Sequence, residues 1–120
     1  MYKISSNELG DITVTRELVE TLAGFATLEC YGLVGMVPQN IQSGITNILG
    51  IDSIRRGVQV GSTEEGLIID VYVIIAYGIK ITEVAHNVMQ KVGYVLEKNA
   101  GLPVAKVNVN VKGVKVLTDR

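Results

Sequence analysis

The run Leu67 to Tyr77 (Leu-Ile-Ile-Asp-Val-Tyr-Val-Ile-Ile-Ala-Tyr) constrains the fold more than any other part of the chain. It is rich in β-branched and aromatic residues and lacks helical spacing, so it predicts one long strand. Leu67, Ile69, Val71, Val73, Ile75 and Tyr77 fall on one face. Ile68, Asp70, Tyr72, Ile74 and Ala76 fall on the other, which is mixed rather than polar. A strand this apolar on both sides lies at the centre of a sheet, or turns its outer face to a partner. A preceding β-rich run, Gly57-Val58-Gln59-Val60, joins it through Gly61-Ser62-Thr63-Glu64-Glu65-Gly66, which predicts a hairpin.

Helical periodicity appears twice around this strand. From Arg16 to Glu29 the residues Leu18, Val19, Leu22, Ala23, Phe25 and Ala26 share one side. Thr15 caps that helix and Glu17 complements its dipole, while Gly32 supplies the left-handed residue beyond its end. From about Thr82 to Asn99 a second stripe consists of Ile81, Val84, Ala85, Val88, Val92, Val95 and Leu96. Gly93 inside this helix costs about 1 kcal/mol against Ala, and close packing at that point is the expected compensation. Ile41, Ile45, Ile48 and Leu49 predict a short amphipathic helix between Asn40 and Gly50.

Shorter extended pieces complete the pattern. Ile12 and Val14 mark a short strand, and Leu33 to Val37 an extended segment ended by Pro38. In the last strand Val107, Val109 and Val111 alternate with Lys106, Asn108, Asn110 and Lys112. Val114 and Val116 then have the opposite parity, which a β-bulge at Lys112-Gly113 explains. Helices with a single apolar stripe need one sheet face to cover. The expected fold is a two-layer α+β domain, with a small mixed or antiparallel sheet of about four strands and two main helices on one face.

The chain has 120 residues, enough for one domain with a real core. A net charge of -1 and 5% aromatics argue against strong nucleic-acid binding, which draws on a basic surface and stacking side chains. Cys30 is the only cysteine, so no intrachain disulfide forms. The longest uncharged apolar stretch, Val71 to Ile79, is about half of the roughly twenty residues that a spanning helix requires. No direct membrane insertion and no signal peptide are expected.

A search for chemistry finds little. With one His and one Cys, no Cys/His zinc site assembles within the chain, and no metal or other cofactor is expected. Cys30 and His86 are the one conceivable nucleophile–base pair, but a small apolar Cys at a helix end and a structural His fit better. Gly32-Leu33-Val34-Gly35 has the spacing of the clamping loop of a KH-type RNA module, with apolar middle residues and no basic neighbour. More prominent is an under-polar surface: Ile68, Tyr72 and Ile74 beside Asp70, with Tyr31, Met36 and Tyr77 at element ends. Arg56, Lys80, Glu83 and His86 form a second, polar candidate cluster for an acyl or phosphate ligand.

Several blocks carry a resemblance. Cys30-Tyr31-Gly32-Leu33-Val34-Gly35-Met36, Arg56-Gly57-Val58-Gln59-Val60 and Tyr77-Gly78-Ile79-Lys80-Ile81-Thr82-Glu83-Val84-Ala85-His86-Asn87-Val88 stand between Gly10-Asp11-Ile12-Thr13-Val14 and Val107-Asn108-Val109-Asn110-Val111-Lys112-Gly113-Val114. In this order and spacing they resemble the alkaline-shock (general stress) protein family, closest to its short YloU-like branch, from about Gly10 to Val116. The resemblance implies a cytosolic bacterial protein linked to cell-envelope stress or homeostasis. It also implies relatives held at the membrane by a separate anchoring protein, and a branch encoded beside a fatty-acid kinase component. No catalytic residues come with it.

The expectations are therefore a single alkaline-shock-family domain over 1–120, with residues 1–9 flexible, and an interaction protein rather than an enzyme. It is expected to self-associate through Ile68, Asp70, Tyr72 and Ile74. It is also expected to bind a protein partner, either membrane-anchored or a fatty-acid kinase component. Its expected location is cytoplasmic, with membrane association through that partner. The alternatives are ligand binding or catalysis around Lys80 and His86 with Arg56 and Glu83, and a KH-like RNA module.

Overall fold

The computed structural model describes residues 1–38 and 51–116. In chain order the elements are β1 (Tyr2–Asn7), β2 (Gly10–Val14), α1 (Arg16–Leu28), β3 (Leu33–Met36), α2 (Ile51–Arg56), β4 (Val58–Thr63), β5 (Gly66–Ala76), α3 (Ile81–Tyr94) and β6 (Val104–Lys115). A π-helical turn over Val95–Asn99 extends α3.

The long apolar run is strand β5, of 11 residues, and it is the axis of a four-stranded mixed sheet. One flank is taken along nearly its whole length by β6, which runs parallel to it from Leu67↔Val104 to Ala76↔Lys115. Parallel pairing requires a crossover, and α3 supplies it. The other flank is shared by two antiparallel strands placed end to end. β4 pairs with the first half of β5, and β3 with Val73, Ile74 and Ile75. Their junction falls at Tyr72, whose N–H donates to the Gly57 carbonyl at 2.9 Å while its own carbonyl accepts from the Val37 N–H at 3.1 Å. Gly57 is what lets the two strand ends meet. A Cβ there would stand 2.9 Å from the Met36 Cβ and 3.1 Å from the Val37 carbonyl oxygen.

One face of this sheet holds the core. Leu67, Ile69, Val71, Val73 and Ile75 are all buried, together with Val58 and Val60 of β4. Val19, Ala23 and Ala26 of α1 and Val84, Val88 and Val92 of α3 pack on them, whereas Leu18 and Phe25 of the expected α1 stripe are exposed. Thr15 caps α1 as expected, its Oγ1 accepting from the Leu18 N–H at 3.1 Å. Arg16 ties the same end to the sheet, Nη2 donating to the Val60 carbonyl at 2.6 Å. Gly32 follows α1 at φ 93°, a left-handed conformation that costs a glycine nothing. The bulge in β6 is also present: the register skips from Val73↔Val111 to Ile74↔Gly113, which sets Val114 opposite Ile75.

Other expectations change. Residues Tyr2–Asn7, anticipated as part of a flexible lead-in, form β1 and pair with β2 in a separate two-stranded hairpin. Gly93 meets nothing within 4 Å where its Cβ would lie, so close packing is not its explanation. Ile81 opens α3 exposed rather than in the core, and Tyr77 lies beyond the end of β5, 71% exposed. Met36, grouped above with an under-polar surface, is 2% exposed and belongs to the core. The expected helix between Asn40 and Gly50 lies outside the described residues.

Candidate functional site

The outer face of the sheet is built in rows across β5. Gly61, Ile68 and Lys106 form the first row, and Gln59, Asp70 and Asn108 the second. Tyr72 stands beside Asn110 in the third, and Ile74 lies between Gly35 and Gly113 in the fourth. Successive residues of a strand point to opposite faces, so these side chains project away from the helices. None of Ile68, Tyr72 and Ile74 belongs to the core cluster, and all three are half-buried. At the Ile74 end the shoulders of this column are low. Glycines flank Ile74 on both sides, and the Ile74 Cδ1 lies 3.1 Å from where a Gly113 Cβ would sit. The result is an apolar ridge along the middle of an open sheet.

Asp70, Asn108 and Asn110 of this face are hydrogen-bonded within the sheet. Asn108 Nδ2 donates to Asp70 Oδ1 at 2.9 Å, and Asn110 Nδ2 donates to the Val71 carbonyl at 3.3 Å. Burial raises the Tyr72 phenol above its ordinary pKa, and the Asp70 carboxylate adds to that shift. Tyr72 is therefore a neutral donor and acceptor at physiological pH. A ridge of Ile, Tyr and Ile with its one carboxylate hydrogen-bonded has the composition of a protein-contact surface, where aromatic residues are enriched and charges depleted.

The second candidate cluster does not assemble. Lys80 precedes α3, while Glu83 and His86 lie in its first two turns, and all three are exposed. Arg56 ends α2. No hydrogen bond or ion pair among the described residues joins the four. Cys30 and His86 share no hydrogen bond either; the Cys30 thiol donates instead to the Ala26 carbonyl at 3.6 Å. Burial raises the Cys30 pKa, with Lys91 opposing and Glu29 reinforcing the shift, the reverse of what activates a nucleophile. The Gly32–Gly35 segment enters strand β3 and does not link two helices as a KH clamp does.

An open groove of about 480 Å³ does lie beside Cys30, lined also by Tyr31, Asn87, Gln90, Lys91 and Tyr94. Lys91 on one wall pairs with Glu29 at 3.2 Å. No sequence signal marked it, because its walls come from the end of α1 and the middle of α3.

What fold and surface define is a small helix-on-sheet domain with one open sheet face and no assembled catalytic constellation among the described residues. The chain belongs to the alkaline-shock protein family, described by a cell envelope-related function, whose model matches residues 4–116. It is 46% identical over 108 residues to the uncharacterized protein YloU of Bacillus subtilis (strain 168), covering 89% of this chain and 90% of that one. The uncharacterized protein Spy1614 of Streptococcus pyogenes serotype M6 is 34% identical over 116 residues, covering 96% and 95%. A further relative, the uncharacterized protein YqhY of Bacillus subtilis, is 28% identical over 107 residues, covering 89% and 78%. No solved structure matches. Among the described residues no helix is long and apolar enough to cross a membrane.

Proposed function

We propose that the protein is a non-enzymatic interaction module of the cell envelope system, which self-associates and docks onto a protein partner through the outer face of its sheet. The observation that carries this reading is the ridge of Ile68, Tyr72 and Ile74 on the face opposite the helices, flanked by glycines at Ile74 and by Lys106 and Asn110 farther along. An apolar strip of this kind, rimmed by polar side chains, is costly to leave in water and gains by being covered. The expected partner is membrane-anchored or a component of a fatty-acid kinase system, as the family resemblance implies. The expected location is the cytoplasm, and an anchored partner would bring the protein to the membrane.

Light scattering at tens of micromolar tests the self-association. The wild-type chain is expected to give a mass above that of the monomer. Tyr72→Glu is expected to weaken assembly by at least tenfold, since the new carboxylate would be buried without a counter-charge beside Asp70. Because the Tyr72 backbone bonds to β3 and β4 are untouched, the thermal midpoint of the variant should stay close to that of the wild type. A strictly monomeric wild type, or a Tyr72→Glu chain that assembles as well as the wild type, would contradict the proposal.

A further inference from the structure

The backbones at Tyr31 and Tyr77, far apart in the chain, come together at one end of the molecule, where the Tyr31 side chain also lines the groove beside α3. The Ala76 N–H donates to the Gly32 carbonyl at 2.9 Å, and the Tyr77 N–H donates to the Lys115 carbonyl at 2.8 Å. The ends of β3, β5 and β6 therefore lie side by side, and α3 begins immediately behind them. Gly32 rests against this start: a Cβ there would stand 2.8 Å from a Val84 methyl and 3.3 Å from an Ile79 methyl.

The surface made here is unusual for a folded chain. Tyr31 is 79% exposed and Tyr77 71%, with Ile81, Val114 and Val116 between 44% and 60%. Lys80 and Lys115 stand exposed among them, while Lys112, also exposed, lies farther back along β6 beside the Val73–Ile74 step. Among the described residues the acidic groups nearby are few: Glu83 lies in the first turn of α3, and Glu29 is held by Lys91 at 3.2 Å. This end thus combines exposed tyrosines, branched aliphatic side chains and lysines, on the turn before α3 and the last residues of β6.

We infer that this end is a peripheral docking surface for an anionic lipid bilayer. The composition separates it from a protein interface, in which Lys is depleted. Tyrosine with lysine is the pairing found at the membrane–water boundary, where the ring sits at headgroup depth and the ammonium reaches the phosphates. Each lysine near an anionic leaflet contributes a factor of about five in binding, so Lys80 and Lys115 give a weak, salt-sensitive attachment. This surface is distinct from the ridge on β5.

Co-sedimentation with large unilamellar vesicles tests the assignment. Vesicles of phosphatidylglycerol and phosphatidylcholine are expected to carry down the full chain at low salt. Pure phosphatidylcholine vesicles should not, and half-molar salt should release the protein. Lys80→Glu with Lys115→Glu is expected to lower the partition coefficient more than tenfold, and Tyr31→Ser with Tyr77→Ser several-fold. These side chains are exposed, so circular dichroism and the light-scattering mass should not change, which keeps this test separate from that of the sheet face. Absence of binding to the anionic vesicles would overturn the proposal, as would binding that the lysine variants leave intact. Release by soluble glycerol phosphate at matched headgroup concentration would overturn it too, by showing a site for free phosphate. So would loss, in the lysine variants, of binding to an acidic protein but not to vesicles.

Discussion

Just past the end of α1 the Cys30 thiol is half-buried and directs its proton at the Ala26 carbonyl, 3.6 Å away. Both features favour the neutral thiol over the thiolate, and the raised pKa follows. A smaller thiolate fraction at a given pH means slower attack on disulfides and alkylating agents. Cys30 should therefore react with a disulfide reagent at pH 7 several-fold more slowly than free cysteine. Its rate should still be climbing where an ordinary thiol levels off; a rapid reaction with a plateau below that range would show an activated thiol instead. At this scale much was legible from residue type alone. Thr15 capped a helix and Gly32 took a left-handed turn because those roles depend on a side chain and its immediate neighbours. Gly93 was not legible, since what surrounds a helical glycine is decided by elements distant in sequence.

Strand β5 shows why elements were easier to read than their arrangement. Two apolar faces mark a central strand, and the parity change after Lys112 marks a bulge, both visible in one dimension. Strand β1 escaped because Lys3, Ser5 and Ser6 leave it little apolar alternation, and it pairs in an exposed hairpin. The end-to-end placement of β3 and β4 along one flank of β5 was equally hidden, although Gly57 holds its key. Replacing Gly57 by Ala would drive a Cβ against the Met36 Cβ, an atom fixed to the backbone that cannot swing away. The expected cost is about 1–3 kcal/mol in chemical denaturation, with an unchanged denaturant slope. A Gly57→Ala chain as stable as the wild type would show that the junction is looser than described.

For the molecule as a whole, the layering leaves separate surfaces with separate compositions. One sheet face is consumed by the helices and the core, the opposite face carries the ridge, and one end carries the tyrosines and lysines. The ridge was legible in the alternation of β5, whereas the tyrosine end was not, because it exists only once three strand ends are set side by side. The dependence on Ile68, Tyr72 and Ile74 is the central claim. It is tested most directly by a spin label at the rim of that face, in a chain carrying Cys30→Ser and Gln59→Cys. Stacked sheets pack about 10 Å apart, so labels in facing copies come within range of strong dipolar broadening. The account predicts a broadened spectrum at tens of micromolar that sharpens on dilution with unlabelled protein, while a label at Gln90 on the helical layer stays sharp throughout. A sharp spectrum from residue 59 under assembling conditions, with broadening at residue 90, would place the contact on the helices and contradict it.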